Sequence, residues 1–316
     1  MNSVRENPFF IRPQLEVEAA ILETMEALMK AGYIASRVRE MTRIYVEVGR
    51  PIIEICDFVE DNIKKLGGAP AFPCNVDIDR VAAHYTSPLG DPTVITDGTL
   101  VKVDIGVHVE GYIADTAVTI CLEPQHTAMV EAAEAGLEAA IKMVRAGVAA
   151  SEIGAAIERA IKSRGFTPIR NLTGHRLSRY IVHAGQSIPN IGGTNGHTLA
   201  QGEVYAIEPF AVPRDAAGQV TDGAPSNIYR FLKKRNVRSD AAKRMLKLIQ
   251  TRYRSLPFAS RWVVGGVSGG AEAFDDLVRG KCVYSYPQLV EKSGAPVAQA
   301  EHTVIVESDG CTVTTA

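Results

Sequence analysis

The sequence predicts an α+β fold made of two related half-units about a pseudo-twofold axis, on three observations. First, Val46, Gly49, Glu54, Ile55, Glu60, Ile63, Lys64 and Gly67 recur 98 residues later as Val144, Gly147, Glu152, Ile153, Glu158, Ile161, Lys162 and Gly165. Eight identities in 22 positions point to a duplicated unit, with convergence of two amphipathic helices as the alternative. Second, each half carries the same order of signals: a long helix, a Gly-containing bend, a shorter helix, a Gly stop and then strands. Third, Val101, Val103, Ile105, Val107 and Val109 alternate with Lys102, Asp104, Gly106, His108 and Glu110, the period of a strand with one apolar and one polar face.

In chain order, residues 15–48 read as a long helix with Ile21, Leu22, Met25, Leu28 and Met29 on one apolar stripe. Pro51 opens a second helix to about Lys65, and Gly67-Gly68 stops it. The strand at 101–109 turns at Glu110-Gly111 and returns over 112–120 as its hairpin partner. From about residue 222 to 292 the texture changes to basic helices at 241–252, a Gly-rich connector (Gly265-Gly266, Gly269-Gly270) and a helix near 272–279. This reads as an insertion carried on the duplicated core, and strand-like sequence resumes over 297–306.

At 316 residues, 46% hydrophobic and 22% charged, the chain fits a globular enzyme of one large or two ordinary domains and excludes disorder as its main state. Lys plus Arg is 34 against 36 Asp plus Glu, which gives no general electrostatic reason to bind nucleic acid or an anionic membrane. Lys233-Lys234-Arg235 reads as a solvated helix face. No run approaches the ~18 apolar residues of a membrane span, and residues 1–18 carry charges where a signal core would be apolar, so a cytoplasmic location is expected. Five cysteines (Cys56, Cys74, Cys121, Cys282, Cys311) at wide spacing suit neither a disulfide framework nor a zinc ribbon and are expected to be buried thiols.

The chemistry starts in the hairpin. A two-residue turn at 110–111 places Asp104 opposite Ala117 and Asp115 opposite Gly106, so both aspartates leave the same face as diagonal neighbours, roughly 7 Å apart at the backbone. Two acids that close repel unless a cation or a shared proton compensates; on the hairpin alone, ordinary solvent-facing aspartates explain the pattern equally well. Three further segments set an acid or His in apolar or Gly-containing surroundings: Asn171-Leu172-Thr173-Gly174-His175, Ala206-Ile207-Glu208-Pro209-Phe210 and Ala300-Glu301-His302-Thr303. Singly, such residues are more often hydrogen-bonded structure than ligands. Together, Asp104, Asp115, His175, Glu208 and Glu301 form the oxygen-rich set that suits a pair of divalent first-row ions with an open position for water.

The motifs Ala71-Phe72-Pro73, Ala83-His84-Tyr85-Thr86, Lys102-Val103-Asp104-Ile105-Gly106, Ile113-Ala114-Asp115-Thr116-Ala117, Gly174-His175, His183-Ala184-Gly185 and Glu301-His302-Thr303 combine in a recognisable way. From about Met25 to its end the chain resembles type 2 methionine aminopeptidases, archaeal-type members of the pita-bread fold. The resemblance implies a catalytic domain at 25–221 and 293–316, a helical insertion typical of type 2 members at 222–292, and an N-terminal extension at 1–24 that catalysis does not need. It implies that Asp104, Asp115 and Glu301 hold one divalent ion (Co, Mn, Fe or Zn) and that Asp115, His175, Glu208 and Glu301 hold a second, with Asp115 and Glu301 bridging. Glu208 is then the proton shuttle, His84 and His183 hydrogen-bond the peptide and the developing oxyanion, and Phe72 and Tyr286 line the methionine pocket. His302 and His108 are expected to stand behind the site or at the surface instead of ligating.

The implied activity is removal of the N-terminal methionine of nascent polypeptides with a small second residue, by a monomer near the ribosome with no membrane and no specific nucleic-acid partner. An X-Pro dipeptidase on the same fold uses the same five ligands, and non-catalytic binding modules share the fold but have typically lost ligands. The pattern departs at Ala300, where members usually carry Phe beside the bridging Glu.

Overall fold

The computed structural model describes residues 8–194 and 196–316, with side chains from residue 19 onward in the first helix. Residues 1–7 of the expected extension lie outside the described residues. The first helix, α1 (Pro8–Tyr45), runs seven residues further upstream than the apolar stripe predicts and ends three earlier. Its stripe is also displaced: Ile21 and Leu22 are 59% and 60% exposed and Met29 41%, while Ala27, Leu28, Ala31, Ile34, Ala35 and Val38 are buried. Packing of α1 on the hairpin strands selects the face on which small residues allow close approach.

Helix α2 (Ile52–Lys65) follows Pro51, whose extended conformation (φ −61°) makes it the cap, and buries Ile52, Ile55, Cys56, Val59, Glu60 and Ile63 on one face. Then come β1 (Ala69–Pro70), β2 (Asn75–Ile78), β3 (Val81–Ala83) and the hairpin β4 (Leu100–Val109) and β5 (Tyr112–Cys121). The second half holds α3 (Thr127–Ile141), α4 (Ala150–Ser163), β6 (Phe166–Pro168), β7 (Thr173–Leu177), β8 (Ser187–Pro189), β9 (Val204–Ile207) and β10 (Phe210–Pro213).

The repeat is structural. Both ends of α4 lie 98 residues after those of α2. Gly49 and Gly147 share φ +86°, a left-handed conformation that excludes most side chains, and their amides donate to Ile95 O (2.7 Å) and Leu199 O (2.9 Å). In the first half Asp77 pairs with Lys102 and Pro70 with Val107; in the second His175 pairs with Ala206 and Pro168 with Ala211. The strand β4 is therefore matched by β9 and β10 in succession, interrupted at Glu208-Pro209 where proline has no amide for the ladder.

Two long arms, β11 (Val220–Phe231) and β13 (Val283–Glu291), pair antiparallel and join β3 through β13. Between them lie α5 (Asp240–Arg252), β12 (Phe258–Ala259), α6 (Ser260–Val264) and α7 (Gly270–Arg279), closed over a small core of Val237, Met245, Ile249, Phe258, Phe274 and Leu277. Lys233, Lys234 and Arg235 are exposed as expected, but on an irregular segment before α5, not on a helix. The last strands are β14 (Ala298–Gln299), β15 (His302–Val306) and β16 (Cys311–Val313), so the run predicted over 297–306 breaks at Ala300 and Glu301.

The halves meet where β5 faces β14 and β15, through threonines instead of a ladder. Thr116 Oγ1 donates to Glu301 O (2.8 Å), Thr119 Oγ1 to Gln299 O (2.6 Å), and the Asp115 amide to Thr303 Oγ1 (2.7 Å). Each half has its own apolar core, one under α1 and α2 and one under α3 and α4. All five cysteines are free; Cys56, Cys74 and Cys282 are buried as expected, whereas Cys121 and Cys311 are half-exposed. Among the described residues no helix is long and apolar enough to cross a membrane.

Candidate active site

The β4–β5 register is the one the two-residue turn predicts: Asp104 opposite Ala117, Gly106 opposite Asp115. Glu208 occupies the break between β9 and β10, and Glu301 the break between β14 and β15. Since His302 pairs with Ile207, the same register sets Glu301 opposite Glu208. His175 comes from β7, beside β9. The seam between the halves thus carries Asp115 on one side and Glu301 on the other.

All five predicted ligands line one pocket, together with Phe72, His84, His183 and Tyr286. Asp115, His175 and Glu301 are buried and offer ligand atoms that all lie within 4.8 Å of one another. His175 Nε2 stands 3.6 Å from Asp115 Oδ2 and 3.5 Å from Glu208 Oε1. Asp104 and Glu208 are half-buried and face the same space.

Four carboxylates so placed oppose one another's ionisation. Burial pushes Asp104 up to about 7, against hydrogen bonds from Asp115 and Asn75. Burial, then the neighbouring charges of Asp104 and Glu208, hold Asp115 well above the usual carboxylate range. Glu301 is raised by burial and by Asp115, Asp104 and Glu208, and Glu208 by burial and Asp104. Burial, with His183 and His84 nearby, holds His175 well below the usual imidazole value. Asp104 Oδ1 and Asp115 Oδ1 are buried without a hydrogen-bond partner among the described residues. An oxygen-rich cluster of this kind, with a neutral imidazole beside it, fits divalent cations, which would displace its protons.

The histidines above the cluster are neutral at pH 7. Burial and His183 lower His84 to about 4, and burial lowers His183. His84 adopts φ +73°, leans edge-on to Tyr286 (5.7 Å between ring centres), and His183 lies 4.2 Å from His175. Phe72 forms one wall by occupying the space over Gly106, where a Cβ would come 2.2 Å from its ring. His302 is turned from the pocket, its Nδ1 3.2 Å from Arg39 Nη1 and 2.8 Å from Thr315 Oγ1, and His108 packs on Tyr180.

Sequence reasoning missed several residues. Asn75 Nδ2 donates to Asp104 Oδ2 (3.3 Å), and Gln299 Nε2 approaches Glu301 Oε2 (3.4 Å). Ala83, Val182, Ile228 and Pro257 complete the lining. Gln299 lies two residues before Glu301, a same-face signal available in a strand, but Asn75 depends on the β2–β4 pairing, which no local pattern encodes.

The model of metallopeptidase family M24 matches residues 26–308. A methionine aminopeptidase of Methanothermobacter thermautotrophicus is 48% identical over 307 residues, covering 93% of this chain and all of that protein. Among solved structures, a thermophilic Arx1 matches with a TM-score of 0.78 at 17% identity, covering 92% of this chain and 90% of that one. A methionine aminopeptidase from Thermotoga maritima matches with a TM-score of 0.65 at 22% identity, covering 93% and 96%. These structural likenesses identify the fold as the pita-bread fold.

Proposed function

The chain belongs to metallopeptidase family M24, and from that premise we propose that it removes the N-terminal methionine of newly made proteins whose second residue is small. One observation carries the reading furthest: four carboxylates and His175 converge in one pocket, with two carboxylate oxygens left unpartnered among the described residues. Family membership entails divalent metal, and we assign two ions, one to Asp104, Asp115 and Glu301 and one to Asp115, His175, Glu208 and Glu301. The position of Asp115 and Glu301 at the seam supports their role as bridging ligands. When bound, such ions supply Lewis acidity toward the scissile carbonyl and the attacking water. The donor set suits Mn, Fe, Co or Zn.

The chain's own groups do the remaining work. Glu208 accepts the proton released by the attacking water and delivers it to the leaving amine. His84 and His183, neutral at pH 7, donate hydrogen bonds to the peptide carbonyl and the developing oxyanion. Phe72 and Tyr286 line an apolar recess for the methionine side chain, with Ile228 and Pro257 beside them. The proposed ligands and pocket residues all belong to one chain, which supports action as a monomer. A substrate that exists only at the start of a new chain supports a cytoplasmic enzyme working close to the ribosome.

The test strips the protein of metal, reconstitutes it with each candidate ion, and compares turnover of Met-Ala-Ser with Ala-Pro. Release of methionine on reconstitution alone is the expected result. Preference for Ala-Pro would replace this reading with an X-Pro dipeptidase.

A further inference from the structure

We propose that the buried ion pair of Glu60 and Arg261 is a positioning device for His84, through which the segment between β11 and β13 acts on the reaction; this rests on the role given to His84 above. Glu60 lies on α2 and Arg261 on α6, 201 residues apart in sequence, and both are buried. Neither lines the pocket.

A buried pair is stable only when further hydrogen bonds satisfy both partners. Here those bonds run to the segments that build the site and leave Arg261 Nε without a partner among the described residues. Arg261 Nη2 binds Glu60, while Nη1 donates to Thr86 Oγ1 (2.7 Å) and Ser87 O (2.9 Å). Glu60 also accepts from the Cys74 amide (3.2 Å) and from Trp262 Nε1 (2.6 Å). Thr86 Oγ1 closes the loop by donating to Cys74 O (2.7 Å). One cluster therefore fixes the segment after Phe72 and the segment after His84.

His84 needs such fixing. Its left-handed backbone is one that a non-glycine residue holds only when its surroundings impose it. Two residues on, Thr86 is fastened at every polar group: its amide donates to Ser226 O (3.2 Å), its carbonyl accepts from Asn227 Nδ2 (3.1 Å), and its hydroxyl meets Arg261. An apolar pair at 60 and 261 would fill the space equally well. What the guanidinium adds is direction, because its rigid fork aims two donors at once toward Glu60 and toward Thr86.

The test uses metal-loaded protein and three variants, with folding followed by circular dichroism. Thr86→Val removes the acceptor for Arg261 and leaves the ion pair intact, Thr86→Ser preserves the hydroxyl, and Arg261→Lys keeps the charge without the fork. In Thr86→Val and Arg261→Lys we expect kcat on Met-Ala-Ser to fall about tenfold or more with KM changed less than about threefold, the signature of a misplaced transition-state donor. Thr86→Ser should behave as the unaltered chain. Trp262 is the only tryptophan, so its emission reports the pair, and it should shift to longer wavelength in Arg261→Lys.

If Arg261→Lys fails to fold, Thr86→Val decides. A folded Thr86→Val with undiminished kcat overturns the proposal, as does a loss shared equally by Thr86→Ser or one in which kcat falls only in step with thermal stability. Absence of Met-Ala-Ser cleavage by the metal-loaded unaltered chain would overturn instead the function on which the proposal rests.

Discussion

At the scale of single residues, the proposed metal site rests on crowded carboxylates whose charge a divalent cation would compensate. We expect Asp104→Ala and Glu301→Gln each to abolish Met-Ala-Ser cleavage while the chain stays folded. Retention of more than about a tenth of the activity, a cost of only ~1.4 kcal/mol, would argue against two ions sharing these ligands. Ala300 stands where the resemblance implies Phe, and its surroundings are close-packed. Its side chain is buried in the apolar core under α3 and α4, while the next residue, Glu301, faces the pocket. Ala300→Phe should therefore overpack that core, lowering stability by about 1–3 kcal/mol, measurable by urea unfolding. Asp104 and Asp115 were legible in the sequence because a two-residue turn fixes hairpin register. Asn75 was not, because it meets Asp104 across a strand pair separated by 29 residues.

Among the elements, α1 shows where pattern and packing part. Its apolar stripe is real, but Ile21 and Leu22 project into solvent, and Thr24 Oγ1 donating to Tyr112 OH (2.9 Å) is the first side-chain anchor among its described residues. A chain beginning at Met25 should keep its kcat/KM and lose a few degrees of Tm, since the described side-chain bond that it removes, Thr24 to Tyr112, contributes about 0.5–1.5 kcal/mol. Loss of activity in a folded truncated chain would show that this turn of helix serves the site. The break at Glu208-Pro209 is readable from proline chemistry. The break at Ala300-Glu301 has no such marker, and its reason lies in the threonine seam that replaces a ladder between the halves.

For the whole molecule, the proposed ligands from both halves meet at one cluster, so metal binding is expected to be linked to folding. In the metal-free chain Asp104 holds its proton up to about 7, against an ordinary value of 3.8. Between those values Asp104 binds more protons in the folded state than in the unfolded state and lowers stability as pH rises. Buried His84, lowered to about 4 from 6.5, acts in the opposite direction until pH 6.5, so the decline is read from about 6.5 upward. Differential scanning fluorimetry of chelated protein should show Tm declining across that window. Added Mn or Co should raise Tm and flatten the decline, because an ion that binds only the folded state stabilises it by mass action. A chelated protein whose Tm is level above about pH 6.5, where the buried histidines are neutral in both states, would mean that the carboxylates are already compensated without metal.

The sequence by itself determined the repeat, the hairpin register and the kinds of donor atom available, because helix period, strand alternation and turn length are local properties that a linear pattern expresses. The tertiary structure alone decided which face of α1 is buried, that Asp115 and Glu301 stand across the seam between the halves, and that Glu60 and Arg261 join segments 201 residues apart. Those outcomes depend on which surfaces pack together, and packing couples residues through space where sequence spacing carries no information.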